Sequence, residues 1–213
     1  MSVPPVTIVD AGVGNLGNVS RAFRSLGAAT TITTDAATIA ASRCLVLPGV
    51  GAFKPPRERV RGEIEAALHQ ALDAGAWLLG ICVGYQLLFE HGEEYGRLDG
   101  LGLLPGVVEE IEGDVPLPHI GWNALIDLTS HPLLDGFEAG EHVYFVHSFV
   151  PHGVPEEWVL ARAHHGERFA AIAARGRVLG TQFHPEKSGR VGLRLLANFL
   201  TLAATENEET PCN

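Results

Sequence analysis

Short apolar segments alternate with amphipathic segments through the first part of the chain. Val6 to Val9 is a β-branched run, and after Asn15 apolar residues recur at helical spacing until Gly27, which predicts a strand, a turn and a helix. The alternation continues and predicts strands over 29–34, 44–47 and 77–81 and helices over 36–41, 57–74 and 83–90. These strands lack polar alternation, as expected for a parallel sheet covered on both faces. We expect the charged face of the 57–74 helix to be solvated.

The pattern changes in the second half of the chain. Strands joined by hairpin-length loops are predicted there, and they favour antiparallel or mixed pairing: 107–111, 119–128, 141–150, 158–164, 169–174 and 178–182. A helix around Leu193 to Leu200 closes the pattern, and an acidic, mobile tail is expected over 205–213. The sequence therefore predicts an α/β fold, a three-layer single domain over 1–204 with a central, mostly parallel sheet and an additional antiparallel or mixed sheet portion.

Charge and composition narrow the possible partners. The 213-residue chain carries 25 acidic and 15 basic residues, and only Lys54 and Lys187 are lysines. Nucleic-acid binding needs clustered positive charge, so we exclude that function. The longest uncharged apolar run, 76–89, is shorter than the ~20 residues that span a bilayer. The N-terminus shows no secretory pattern, and we expect a cytoplasmic protein.

Cysteine and histidine spacing gives no sign of a metal site. Cys44, Cys82 and Cys212 show no paired spacing, which argues against a disulfide framework and against zinc. His164 and His165 are adjacent, but neighbouring residues on a strand face opposite sides. We therefore expect no metal ion.

A glycine motif near the N-terminus admits two interpretations. Gly12, Gly14 and Gly17 form G-x-G-x-x-G between a strand and a helix, and Asp35 follows where an acid could hold a ribose hydroxyl of a dinucleotide. Glycine also suits any tight strand-to-helix turn, and Asp35 could simply cap the next helix. We favour the turn and cap because the second strand is polar and the following units do not repeat in the dinucleotide-binding manner.

Cys82 stands in a second, more specific motif, Gly80-Ile-Cys-Val-Gly84. This is the nucleophile elbow G-x-S-x-G with sulfur in place of oxygen, in which the flanking glycines relieve crowding in a strained strand-to-helix turn. A helix N-terminus favours a thiolate over a thiol. We therefore expect Cys82 to be reactive and Cys44 to be a small buried residue.

The base that such a nucleophile needs is offered by Thr181-Gln-Phe-His-Pro-Glu186. Pro185 favours an extended conformation at His184, so His184 and Glu186 can project to the same side. A carboxylate there can fix the imidazole tautomer and stabilise the imidazolium. Cys82, His184 and Glu186 then form a complete catalytic set.

Acyl transfer also needs donors for an oxyanion. The N–H of Val83, directly after the cysteine, is one candidate. The loop Pro48-Gly49-Val50-Gly51 follows a parallel strand, at the sheet edge where ligands bind in open α/β folds, and its glycines would let a peptide N–H point into the site.

Together these segments resemble the class I glutamine amidotransferases. That family carries a cysteine elbow, a glutamine four residues later and a His-Pro-Glu segment, matched here by GICVGYQ (80–86) and QFHPEKS (182–188). Within the family, the nearest resemblance is to the glutaminase subunits of imidazole glycerol phosphate synthases, in histidine biosynthesis. It is carried by GNLGNV from Gly14, LPGVGAF from Leu47, PHIGWN from Pro118 and YFVHSF from Tyr144, which extend over essentially the whole chain.

The resemblance implies roles for individual residues. Cys82 would be the thiol nucleophile, His184 the general acid and base, and Glu186 its orienting partner. Further residues would bind glutamine, complete the oxyanion hole or face the partner subunit: Gln86, Glu94 and the backbone of His147, Ser148 and Phe149 for glutamine; the peptide joining Gly49 and Val50 for the oxyanion; Asn15, Trp122 and Lys187 for the interface.

The implied reaction is glutamine hydrolysis through a cysteine thioester, with ammonia passed to a (β/α)8 cyclase subunit in a heterodimer and with no cofactor. In this family the oxyanion hole often forms only after a rearrangement triggered by the partner. Ala11, Val83 and Tyr85 depart from the usual family residues, and the departures at Val83 and Tyr85 leave the backbone chemistry intact. Two alternatives stay open: a glutaminase of another amidotransferase pathway, and a dinucleotide-binding module that uses Gly12, Gly14 and Gly17.

Overall fold

The fold is built from thirteen strands and six α-helices within residues 3–205, the part of the chain that this computed structural model describes. The strands are β1 (Val6–Val9), β2 (Thr30–Thr33), β3 (Cys44–Gly49), β4 (Trp77–Cys82), β5 (His91–Gly92), β6 (Leu98–Asp99), β7 (Val107–Glu110), β8 (His119–Ala124), β9 (His142–His147), β10 (Phe149–His152), β11 (Val159–His165), β12 (Glu167–Arg175) and β13 (Val178–Thr181). The helices are α1 (Leu16–Ser25), α2 (Ala36–Ala40), α3 (Lys54–Val60), α4 (Glu63–Asp73), α5 (Val83–Gln86) and α6 (Gly189–Thr205).

Seven strands form the central sheet in the order β11-β12-β13-β4-β3-β1-β2. The five strands from β13 to β2 pair in parallel, and β12 and β11 add antiparallel pairing at the far edge. Every residue of β3 and β4 is buried, as the unbroken apolar sequence of these strands predicts. Among the five parallel strands, the edge strand β2 is the one that exposes a large apolar side chain, that of Ile32.

Helices cover both faces of this sheet. On one face α1 and α6 pack together, with the rings of Phe23 and Phe199 6.3 Å apart. On the other face α2 and α4 bury Ile39 and Leu68. The three-layer α/β architecture and the mostly parallel central sheet are thus confirmed.

Two smaller sheets complete the fold. One has the order β10-β7-β5-β6 and mixed pairing, and the other is the antiparallel pair β8-β9. The expected antiparallel or mixed portion is therefore present. Within residues 3–205, no helix is both long and apolar enough to span a membrane.

The prediction of a single long helix over 57–74 is wrong. The chain instead forms α3 and α4, because Gly62 takes a left-handed φ of 91° that an α-helix cannot accommodate. The expectation that its charged face is solvated fails at Arg57, which is 4% exposed. Arg57 donates two hydrogen bonds to the carboxylate of Glu65, at 2.8 and 2.9 Å, and one to the carbonyl of Asp99 at 2.7 Å. This arginine therefore joins the two helices.

The ends of several other strands and helices differ from the predicted ones. The strand predicted over 141–150 is interrupted at Ser148, because β9 pairs with β8 while β10 pairs with β7 in a different sheet. The strand predicted over 119–128 ends at Ala124. The final helix runs through Thr205, and the tail expected over 205–213 lies, from residue 206 onward, outside the described residues.

Candidate active site

Cys82 occupies the sharp turn between β4 and α5. Its backbone angles are φ 55° and ψ −112°, a strained conformation for a residue with a Cβ. Both flanking glycines are sterically required: a Cβ at Gly80 would lie 2.8 Å from the carbonyl oxygen of Gly84, and a Cβ at Gly84 would collide with the carbonyl oxygen of Leu47. The predicted elbow geometry is confirmed.

The helix that follows the elbow is shorter than expected. The prediction gave residues 83–90, whereas α5 covers only Val83–Gln86 before the chain continues in turns. A single turn aligns few peptide dipoles, so the helix contributes little to a negative charge at Cys82. Side chains must therefore supply most of the electrostatic support.

His184 and Glu186 form a buried pair near the thiol. His184 Nδ1 lies 2.8 Å from Glu186 Oε1, and each side chain is only 2% exposed. The other ring nitrogen, Nε2, is buried and makes no well-formed hydrogen bond with the described residues. The carboxylate thus orients the imidazole and leaves Nε2 for another group.

Cys82 influences the pKa of the His184 imidazole. Burial alone would lower the pKa of His184, but the neighbouring Cys82, followed by Glu186, outweighs it and raises the pKa to about 9. The site therefore favours an imidazolium, which is the proton donor that a departing amine requires.

The turn that carries His184 is tied to strand β9. The backbone N–H of His184 donates to the carbonyl of Tyr144 at 3.0 Å. The hydroxyl of Ser188 donates to the carbonyl of His184 at 2.7 Å and accepts from the backbone N–H of Tyr144 at 3.0 Å. These three bonds fix the imidazole relative to β9.

The expected oxyanion residues lie beside the elbow. Gly49 pairs with Cys82 in the register of β3 and β4. A Cβ at Gly49 would lie 2.9 Å from the Cβ of Val83 and 2.8 Å from the backbone nitrogen of Gly84, so only glycine fits. Gly49 therefore packs directly against Val83, the residue that follows the thiol.

Two of the expected glutamine-binding side chains make internal bonds. Gln86 is 4% exposed, and its Nε2 donates to the carbonyl of Phe149 at 2.9 Å and to Gln182 Oε1 at 3.3 Å. Glu94 is half-buried and accepts a hydrogen bond from the backbone N–H of Phe53 at 2.7 Å. The structure thus holds Gln86 against β10 and Glu94 against the segment after β3.

The backbone expected to assist glutamine binding lies at the junction of β9 and β10. Ser148, at the break, accepts a hydrogen bond from Ile111 at 2.9 Å through its carbonyl. The side chain of His147 is buried and faces His119, with 3.0 Å between His147 Nε2 and His119 Nδ1. The side chain of His147 is thus engaged within the protein, which leaves only its backbone for the expected contact with glutamine.

The expected interface residues are exposed on one connected part of the surface. Trp122 is 56% exposed, and its ring lies 6.2 Å from that of Tyr144. The Lys187 ammonium lies 5.5 Å from the same tyrosine ring. Asn15, also exposed, caps α1 by accepting from the N–H of Asn18, and α1 packs beside the 185–187 turn.

The dinucleotide interpretation finds no support at its key positions. Asp35 caps α2 by accepting from the backbone and hydroxyl of Thr38, contacts that lower the pKa of its carboxyl. Gly17 lies inside α1 with no atom near its Cα that would exclude a side chain. Within residues 3–205, no group of three His, Cys, Asp or Glu side chains could hold a metal ion.

Sequence reasoning missed several polar residues that surround the site. Gln182 Nε2 lies 4.0 Å from the sulfur of Cys82, and Gln182 is fully buried. A signal was available, because Gln182 lies in the same short segment, residues 181–186, as His184 and Glu186. The role of Ser188, and the contact between His119 and His147, depend on distant segments meeting and leave no local signal.

Comparison with known proteins identifies the family. A profile of the glutamine amidotransferase class-I family matches residues 7–203. The chain belongs to the class-I glutamine amidotransferases. Among curated relatives, this amidotransferase is 45% identical over 208 residues to the imidazole glycerol phosphate synthase subunit HisH of Salinibacter ruber, with 94% of this chain and 95% of the relative covered. The subunit of the same name from Symbiobacterium thermophilum is 43% identical, with 91% and 92% covered.

The fold of the amidotransferase also matches a solved structure. A chain of PurLQS from Thermotoga maritima superposes with a TM-score of 0.74, over 93% of this chain and 99% of the other. The two sequences are 20% identical, so this likeness concerns the fold alone. It agrees with the predicted family architecture.

Proposed function

We propose that this chain is the glutaminase subunit of an imidazole glycerol phosphate synthase, and that Cys82, His184 and Glu186 carry its chemistry. The observation that supports this most is the left-handed elbow at Cys82 beside the buried His184–Glu186 pair. The relatives from Salinibacter ruber and Symbiobacterium thermophilum support the choice of pathway, since both are named as subunits of that synthase and are covered almost entirely.

The reaction begins with a thiolate–imidazolium pair. The sulfur of Cys82 attacks the side-chain amide carbon of glutamine and forms an S–C bond, and the charge moves to the oxygen. When the C–N bond breaks, His184 gives its proton to the leaving nitrogen and ammonia departs. The product is a glutamyl thioester, and the imidazole is now neutral and able to act as a base.

The second half of the reaction reverses these roles. His184 takes a proton from water, the hydroxide adds to the thioester carbon, and the C–S bond breaks to release glutamate and the thiolate. Glu186 stabilises the imidazolium in both halves and prevents the ring from turning. No cofactor takes part in this scheme.

The oxyanion is assigned to two backbone donors in this proposal. One is the N–H of Val83, and the other is the peptide joining Gly49 and Val50, where Gly49 packs against Val83. Removal of one such donor typically slows turnover by ~100- to 1,000-fold. Gln86, Glu94 and the backbone of 147–149 would hold the glutamine.

Ammonia has to reach a second site before it takes up a proton from water. We assign its use to a (β/α)8 cyclase subunit that binds the exposed surface around Asn15, Trp122 and Lys187. A cytoplasmic location belongs to the same proposal, supported by Cys44 and Cys82, which are both free thiols within residues 3–205.

The test is glutamate release by the chain alone and with purified cyclase. We expect slow hydrolysis by the isolated chain and a large increase in the heterodimer, because binding and oxyanion assembly are coupled. Trp122→Ala should reduce this activation, and Ile32→Ala, which changes an exposed apolar residue on the edge strand β2, should not. Full activity without the cyclase would contradict the coupling, and failure to bind cyclase would contradict the assigned pathway.

A further inference from the structure

A continuous series of hydrogen bonds leads from strand β8 to the sulfur of Cys82. It passes through five buried or half-buried side chains and one backbone carbonyl, and we refer to it as the polar chain. Its members, in order, are Asn123, His119, His147, the carbonyl of Phe149, Gln86 and Gln182.

The orientation of the first member is fixed by the backbone. Asn123 Oδ1 accepts from the N–H of Ala124 at 2.8 Å, and its Nδ2 donates to the carbonyl of His164 at 2.9 Å. A carbonyl can only accept, so the amide cannot be turned over. The nitrogen therefore also faces His119 Nε2, 3.1 Å away, and that ring nitrogen must be an acceptor.

The two histidines are then fixed in a single arrangement. Both are neutral at pH 7: burial, with a smaller effect of His165, lowers the pKa of His119 to about 4, and burial, with a smaller effect of His119, lowers the pKa of His147 to about 3. Each neutral ring has one donor and one acceptor. His119 therefore donates through Nδ1 to His147 Nε2 at 3.0 Å.

The carbonyl of Phe149 independently requires the same proton positions on His147. His147 Nδ1 lies 3.1 Å from this oxygen, which can only accept, so Nδ1 must carry the proton and Nε2 must be the acceptor. The constraints at Asn123 and at Phe149 thus agree. Every bond between them has one possible direction.

The same oxygen orients the two glutamines. Gln86 places its nitrogen 2.9 Å from the carbonyl of Phe149, and its second hydrogen points to Gln182 Oε1 at 3.3 Å. Since Oε1 of Gln182 is the acceptor in this bond, Nε2 must face the other way. There it lies 4.0 Å from the sulfur of Cys82, in a position with no solvent exposure.

We propose that Gln182 is a further catalytic residue, whose Nε2–H group donates a hydrogen bond to the sulfur of Cys82 and stabilises its thiolate, with the polar chain holding the amide in this orientation. The inference rests on the proposed function, because it takes Cys82 as the nucleophile. Gln182 complements His184: the imidazolium loses its proton to ammonia, whereas the amide keeps its hydrogens. It therefore still faces the sulfur when the thiolate leaves the thioester.

The experiment measures alkylation of Cys82 by iodoacetamide in the full chain across pH, with mass spectrometry to locate the modified residue. Gln182→Met keeps the length of the side chain and removes the donor, and Gln182→Glu replaces the donor with an oxygen. Gln70→Met and Gln70→Glu are matched controls, because Gln70 is exposed on α4. Circular dichroism and thermal unfolding establish that each variant is folded.

We expect the alkylation rate at pH 7 to fall about tenfold in Gln182→Met and further in Gln182→Glu, while both controls match the original chain. The alkylation curve should move to higher pH by about one unit, a change that loosened packing alone would not produce. Unchanged curves in folded Gln182 variants would overturn the inference and leave the proposed function intact. Failure of iodoacetamide to modify Cys82 in the original chain would contradict the proposed function instead.

A second measurement uses the original chain and does not depend on variants that fold. Nitrogen-15 NMR of the histidine rings at pH 7 should show His119 and His147 both protonated at Nδ1 and unprotonated at Nε2. A proton on Nε2 of either ring would reverse a bond in the polar chain, and the inferred orientation of Gln182 would then be wrong.

Discussion

His184 Nδ1 and Glu186 Oε1 lie 2.8 Å apart in a region where both side chains are 2% exposed. The contact forms differently from the predicted extended segment: only His184 is extended, and Glu186 lies in a 3-10 turn over Pro185–Lys187 that brings its carboxylate back to the imidazole. The carboxylate fixes which ring nitrogen carries a proton, so that Nε2 is directed toward other groups. The short spacing in sequence therefore produces a defined tautomer in the folded chain.

Glu186→Gln should preserve the fold and slow glutamate release on the order of 1,000-fold, because a neutral amide no longer stabilises the imidazolium. The assay is turnover at saturating glutamine with cyclase present. Glu63→Gln, at an exposed position on α4, serves as the control. Equal turnover in the two variants would remove Glu186 from the proposed mechanism.

Two glycine substitutions should have opposite effects on stability. Gly84→Ala places a Cβ against the carbonyl oxygen of Leu47, a rigid backbone atom, so we expect a loss of several kcal/mol or failure to fold. Gly17→Ala lies in α1 with open space around it and should raise stability by roughly 0.5–1 kcal/mol. Urea unfolding measures both, and a stable Gly84→Ala chain would contradict the elbow geometry.

Tyr85 and Gly180 should be energetically coupled. Tyr85 is fully buried, its hydroxyl donates to the carbonyl of Ala170 at 3.3 Å, and a Cβ at Gly180 would collide with its ring. Gly180→Ala alone should therefore cost about 1–3 kcal/mol. In a chain that also carries Tyr85→Leu, the added methyl group should lower the free energy of unfolding much less. A double-mutant cycle by urea unfolding measures the difference, and simple additivity would show that the two residues do not compete for space.

Acid should destabilise the chain through its buried histidines. The pKa of His147 is lowered to about 3 and that of His119 to about 4, so between these values and about 6.5 the unfolded chain binds more protons than the folded chain. Stability therefore falls as pH decreases through this window, on the order of 2 kcal/mol at pH 5 from His147 alone. His184, whose pKa is raised to about 9, acts in the opposite direction: it is already protonated in the folded chain at pH 7, so its contribution to stability rises slightly as pH falls toward 6 and offsets a smaller part of the loss.

The measurement for this effect is the urea midpoint at pH 7 and pH 5. His147→Gln should show a smaller decrease than the original chain, and His142→Gln, at an exposed position on β9, should show the same decrease. An unchanged pH dependence in His147→Gln would contradict the account of this histidine.

Local patterns predicted those parts of the fold that local forces determine. The elbow at Cys82 and the pairing of His184 with Glu186 each depend on a few consecutive residues, and both were correctly predicted. The helix over 57–74 was predicted as continuous because its apolar spacing is continuous, whereas the backbone of Gly62 divides it into two helices, which Arg57 and Glu65 then join. Periodicity does not register a glycine that takes a left-handed conformation.

The environment of the site depends on segments that meet only in three dimensions. Ser148 interrupts a predicted strand because its two halves join different sheets, and pairing partners are not encoded in alternation. The polar chain brings together residues from β8, β9 and the ends of α5 and β13. Each of its members, considered alone, is an ordinary polar residue, so a sequence pattern cannot identify the chain.

The most direct test of the central claim is covalent labelling with an electrophilic glutamine analogue, such as a diazoketone that carries the glutamine backbone. The heterodimer is treated with the analogue, digested and examined by mass spectrometry, with excess glutamine as competitor. Our account predicts a single modification on Cys82, protection by glutamine, and no labelling of Cys82→Ala. Labelling at another residue with Cys82 unmodified, or glutamate release that survives in Cys82→Ala, would contradict it.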